Sequence, residues 1–148
     1  MKKVLTLTAF AFTTILFAQT ETKSKKNDVP DVVKKAFQKD YPSQPAKWEK
    51  ENGGYEAEFK MNGSEASAVY DKNGHKKEFE IEIKASELPN AASDYLKKNY
   101  PIAKIKEAAK ITDDKNTVTY EAEIKIKGKS NDVLFDANGK FIKINKED

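Results

Sequence analysis

The sequence predicts an α+β fold: a tandem repeat of a helix followed by a four-stranded antiparallel sheet, with the helices packed on one sheet face. Three observations predict it. Short motifs recur in the same order along the 148-residue chain. An apolar stripe of helical spacing opens each copy. Segments of apolar–polar alternation, punctuated by Asn-Gly pairs, follow each stripe.

The recurrence comes first, because self-similarity decides how the rest is read. Val29-Pro30 matches Leu88-Pro89, and Tyr41-Pro42 matches Tyr100-Pro101, both at an offset of 59. Tyr55-Glu56-Ala57-Glu58 matches Tyr120-Glu121-Ala122-Glu123 at an offset of 65, as do Gly63 with Gly128 and Asp71-Lys72-Asn73-Gly74 with Asp136-Ala137-Asn138-Gly139. An insertion of six residues before Tyr120 reconciles the two offsets. The expected copies span residues 29–83 and 88–146, joined by residues 84–87.

In the first copy Val29, Val32, Val33, Ala36 and Phe37 lie on one helical face. Leu88, Ala91, Ala92, Tyr95 and Leu96 do the same in the second. Pro30 and Pro89 suit the first helical position, where no N–H is needed. Pro42 and Pro101 end the helices, because the residue before a proline avoids the helical region. A short strand over about 46–51 holds Trp48, which is in phase with Ala46 and is expected in the core; its counterpart is about 105–111. Tyr55, Ala57, Phe59 and Met61 then alternate with Glu56, Glu58 and Lys60, and Tyr120 to Lys127 repeats the pattern. Such alternation marks a sheet with one face buried. Phe79, Ile81 and Ile83 mark the last strand of the first copy, and Ile142 and Ile144 that of the second. Asn52-Gly53, Asn62-Gly63, Asn73-Gly74 and Asn138-Gly139 are hairpin signals, since both residue types tolerate positive φ.

Met1-Lys2-Lys3 followed by the apolar run Val4 to Phe17 and then Ala18-Gln19 reads as a secretory signal over residues 1–18, with a polar leader over 19–28. The apolar run is too short to cross a hydrocarbon core of roughly 30 Å, so no membrane insertion is expected after cleavage. There is no cysteine, which rules out disulfides and a lipoprotein anchor. The expected location is the periplasm or the exterior. The formal charge of +3 falls to +1 without Lys2 and Lys3, and every base is lysine. A near-neutral chain without arginine argues against nucleic acid as a partner, since phosphate and base readout favour clustered positive charge and the guanidinium fork.

The Val-Pro or Leu-Pro helix start, the Tyr-Pro stop, the Tyr-Glu strand and the Asp-x-Asn-Gly turn together resemble the exported PepSY-like proteins of Bacteroidetes, described as β-lactamase-inhibitor-like. The resemblance covers about Val29 to Ile144. It implies antiparallel α+β repeats and, by analogy, a protein that binds or inhibits other proteins.

No catalytic, cofactor or metal constellation assembles from the residues. His75, the single histidine, sits beside a turn and lacks a second histidine or thiol to complete a metal cluster. The two Asp-x-Asn-Gly segments hint at calcium, but an EF-hand loop needs its glycine sixth and an acid twelfth; a hairpin turn explains them better. Gly53-Gly54 leads into a strand, so it is no phosphate loop. Glu56 and Glu58, flanked by lysines, read as a solvated strand face rather than as general acids. Val69 and Leu134 stand out instead. They occupy matching positions on the charged face, where two apolar residues could centre a partner patch, while Tyr70 and Phe135 point to the helix side. The expectation is an exported non-enzymatic binding module, without a cofactor, that engages another protein as an inhibitor or regulator. Alternatives are a protein that binds a small ligand or envelope polymer, and a hydrolase with a carboxylate site.

Overall fold

The structure, a computed structural model, describes residues 29–146. The expected signal (1–18) and the leader (19–28) lie outside the described residues. The chain runs through α1 (Asp31–Asp40), β1 (Lys47–Glu51), β2 (Gly54–Met61), β3 (Ser64–Tyr70) and β4 (Lys76–Glu82). A single 3₁₀ turn (Ala85–Glu87) follows. Then come α2 (Asn90–Asn99), β5 (Ile105–Asp113), β6 (Val118–Ile126), β7 (Lys129–Asp136) and β8 (Phe141–Lys146).

Pro30 and Pro89 stand one position before the helices they open, at φ −57° and −52°. Their carbonyls accept the first helical N–H groups, from Val33 and Lys34 and from Ala92 and Ser93. Tyr41 and Tyr100, each before a proline, leave the helical region and end the helices while still donating to Phe37 and Leu96 at 2.8 Å.

The fold differs from the expected tandem of two helix-plus-four-strand units. All eight strands form one antiparallel sheet in the order β1 to β8. The join is β4 with β5, registered from Glu78 opposite Asp113 to Glu82 opposite Ala109, and extended by the Ile83 N–H donating to the Ala108 carbonyl at 2.9 Å. Separate sheets would have left β4 and β5 as edges, each with a row of unpaired backbone groups. Pairing them satisfies both. Strand periodicity reports which face is apolar, not which edges meet.

Both helices lie on one face of this sheet. Val33 and Phe37 of α1 pack on Ala57, Phe59, Ala68 and Tyr70. Ala92 and Leu96 of α2 pack on Ala122, Ile124, Val133 and Phe135. The Phe37 ring meets Trp48 and Phe59 edge-on, with centroids 5.4 and 5.1 Å away, a favourable aromatic geometry. Trp48 is therefore packed against the core, in phase with Ala46. The Tyr70 hydroxyl donates to Asp40 at 3.0 Å and pins the end of α1 to β3.

The Asp-x-Asn-Gly segments are turns whose aspartate closes them. The Asp71 carboxylate accepts the N–H groups of Asn73 and His75 at 2.8 and 3.0 Å. Asp136 does the same for Asn138 and Lys140, and Asp113 for Lys115 and Thr117. These backbone hydrogen bonds hold Asp71 and Asp113 below the usual carboxylate range. Gly139 lies under the start of α2 at φ 81°, where a Cβ would meet the Ala92 nitrogen at 2.7 Å. The glycine of the motif thus serves helix docking as well as the turn.

Candidate functional site

The face of the sheet away from the helices is the candidate site. Alternation sends Glu56 and Glu58 of β2, Ser67 and Val69 of β3, Glu78 and Glu80 of β4, Ala109 and Ile111 of β5, Glu121 and Glu123 of β6, and Asp132 and Leu134 of β7 to this side. The register sets them shoulder to shoulder: Ser67 opposite Glu80, Val69 opposite Glu78, Glu78 opposite Asp113, Ala109 opposite Glu121 and Glu123 opposite Asp132.

Val69 is half-buried between Glu56 and Glu78. Leu134 is only 4% exposed, between Glu121 and Lys143. The two are not brought together, because β4, β5 and β6 separate their strands. Leu134 is thus no free contact residue. Ile111 (3% exposed) and Ala109 (8%) of β5 are buried on the same face, with Glu121 of β6 between Ala109 and Leu134, although this face was expected to be solvated.

Carboxyl groups on this face are buried as well. Glu56, expected on a solvated face, is 4% exposed. Burial pushes its carboxyl up to about 8, although the Ser67 hydroxyl donates to it and neighbouring glutamates push further. Burial raises Glu121 to about 8, with Asp132 adding repulsion, and Glu78 to about 7. Glu80, in the middle, lies well above the usual carboxylate range, first through burial and then through repulsion from Glu121, Glu78 and Glu56. A small cavity of about 30 Å³ lies among Ser67, Glu80, Ala109, Glu121 and Asp132. Lysines hold the margin: Lys47 pairs with Glu58 at 3.2 Å and Lys60 with Glu65 at 2.9 Å. Nothing in single-residue spacing announces this cluster. The signal was the excess of Glu over Lys at alternate positions of β4 and β6.

His75 is exposed at its turn, its Nδ1 3.0 Å from the Asp71 carboxylate. Among the described residues no group of three or more His, Cys, Asp or Glu is arranged to hold a metal ion, and no helix is long and apolar enough to cross a membrane.

A sheet of this order, with two helices on one face, permits comparison with known proteins. The family model described as "Putative beta-lactamase-inhibitor-like, PepSY-like" matches residues 18–75 and 53–143. The chain belongs to the PepSY-like family. Solved structures share the PepSY-like fold. A "putative periplasmic" protein from Bacteroides eggerthii superposes with a TM-score of 0.74 at 16% identity, covering 80% of this chain and 88% of that one. A DUF2874 family protein from Bacteroides uniformis gives 0.72 at 20% identity, over 79% and 88% of the two chains. A BLIP-like protein from Bacteroides fragilis gives 0.64 at 20% identity, over 79% and 85%. No curated protein matches this PepSY-like chain.

Proposed function

We propose that this PepSY-like protein is an exported, non-enzymatic binding module of the periplasm or exterior. Its carboxyl-lined sheet face engages a lysine- or arginine-bearing segment of another envelope or secreted protein, which it inhibits or regulates. The family description and the periplasmic description of a structural neighbour support the setting. The observation that carries the reading is the crowding of Glu56, Glu78, Glu80 and Glu121 on a face that neither helix covers. These groups are partly desolvated and repel one another; Lys143, on the edge strand, draws Glu121 down, but burial and Asp132 outweigh it. A partner's cation would stabilise their charged form, release their protons and convert mutual repulsion into attraction.

The test is retention from envelope extract on the immobilised mature protein, identified by mass spectrometry and repeated with the purified partner. Val69→Lys combined with Glu123→Lys puts positive charge on the face. Lys at 123 falls between the carboxyl groups of Glu107 and Asp132, which face it in place of the Ser130 hydroxyl that donates to Glu123. Leu134→Lys is unsuitable, because that side chain is buried. The double variant should lose the partner at unchanged melting temperature, and binding of the wild type should weaken with salt. Equal retention by the double variant would refute the assignment of this face.

A further inference from the structure

The two halves of the core are filled differently. Under α1, the seventh helical residue is Phe37, and its ring packs against Trp48, Phe59 and Tyr41 with centroids 5.4, 5.1 and 5.3 Å away. Under α2, the seventh residue is Leu96. Trp48 stands opposite Ala57 across β1 and β2, whereas the residue opposite Ala122 across β5 and β6 is Ala108. Two positions beyond those alanines stand Phe59 in β2 and Ile124 in β6. Three rings are thereby replaced by two aliphatic side chains and a methyl group.

Two of these three smaller side chains, Leu96 and Ile124, line an open groove. A groove of about 360 Å³ opens between the C-terminal half of α2 and the outer ends of β5 and β6, within the range of small-molecule sites. Leu96, Tyr100, Ile105 and Ile124 form its apolar wall, and Ser93 and Lys97 line it from α2. Leu96 and Ile124 are almost fully buried, so the wall is part of the core rather than a scatter of surface side chains. Lys97 is exposed, and among the described residues it has no ion pair. An apolar slot with one uncompensated cation and the hydroxyls of Ser86 and Ser93 has the complement of an amphiphilic anion.

We propose that this groove binds a medium-chain alkyl carboxylate. The chain lies along Leu96, Ile105 and Ile124, and the carboxylate meets the Lys97 Nζ and the Ser93 hydroxyl. This site is on the helix side of the sheet and is independent of the carboxyl-lined face.

The experiment is calorimetric titration of the mature protein with decanoate below its micelle concentration, with decanol as the uncharged comparison. Decanoate should bind saturably at one site, about fivefold tighter than decanol, since a partly exposed ion pair adds a factor of that order. Lys97→Met should reduce decanoate to the decanol level. Ile124→Phe restores the ring present at Phe59 and should abolish binding of both; Leu96→Phe does the same from the helix side. Methyl NMR of the wild type locates the ligand directly, with shifts expected at Leu96, Ile105 and Ile124. No saturable decanoate binding, equal affinity for decanol, undiminished binding in a folded ring variant, or shifts confined to the other sheet face would each overturn the proposal.

Discussion

At the scale of the residue, the carboxyl groups of the uncovered face set the pH dependence of stability. Glu121 and Glu56 are raised to about 8, against an ordinary 4.5. The folded state therefore keeps protons that the unfolded chain releases between those values. Unfolding then gains relative to folding as pH rises, so this contribution is complete below about pH 4.5 and is lost through pH 8. Glu121→Gln cannot ionise and removes its share of the slope. Denaturant melts at pH 5 and pH 8 should show the variant more stable than the wild type at pH 8 by on the order of 1–2 kcal/mol, with a smaller difference at pH 5. A variant equally destabilised at both values would mean that the Glu121 carboxylate is solvated after all. Asp71 and Asp113 act in the opposite sense: their turns stabilise the charged form, and that contribution is lost as pH falls through their lowered values.

At the scale of the element, turns and helices are coupled through glycine. Gly53 and Gly139 share φ 81°, yet a Cβ at Gly53 meets nothing within 4 Å, whereas at Gly139 it meets the Ala92 nitrogen at 2.7 Å and the Pro89 Cβ at 2.8 Å. Gly53→Ala should therefore cost only the left-handed conformation, about 1 kcal/mol. Gly139→Ala should cost about twice that or more, because α2 must also move off the turn. Thermal melts of the two variants check the difference, and equal losses would remove the docking role from the β7–β8 turn. The helix stripes and their proline starts and stops were legible in the sequence, because a period near 3.6 and a fixed φ act within one segment. The aspartate-closed turn at Asp113 was not read, since it carries no glycine and its register depends on where β5 ends.

At the scale of the whole molecule, the β4–β5 pairing makes the eight strands one body. Trp48, the single tryptophan, packs against the α1 core and reports that half alone. Its fluorescence and the far-ultraviolet circular dichroism of the whole chain should change in one coincident urea transition. Two separated transitions would show that the halves are independent despite the shared sheet. The pairing also builds the candidate face, since Glu78 and Glu80 come from β4 while Ala109, Ile111 and Glu121 lie beyond the join. Each segment displayed its own alternation, but the crowding of carboxyl groups arises only where the two sets are placed side by side.

Alternation along β2 and β6, the stripes ending at Phe37 and Leu96, and the aspartate and glycine of the β3–β4 and β7–β8 turns were determined by the sequence alone, because each is a short-range preference of neighbouring residues. Tertiary structure alone decided that one sheet forms rather than two, that Leu134 is buried, and that Glu56 and Glu80 lose their water. Those outcomes depend on which backbone edges find partners and on which side chains then crowd together, quantities that no local spacing encodes.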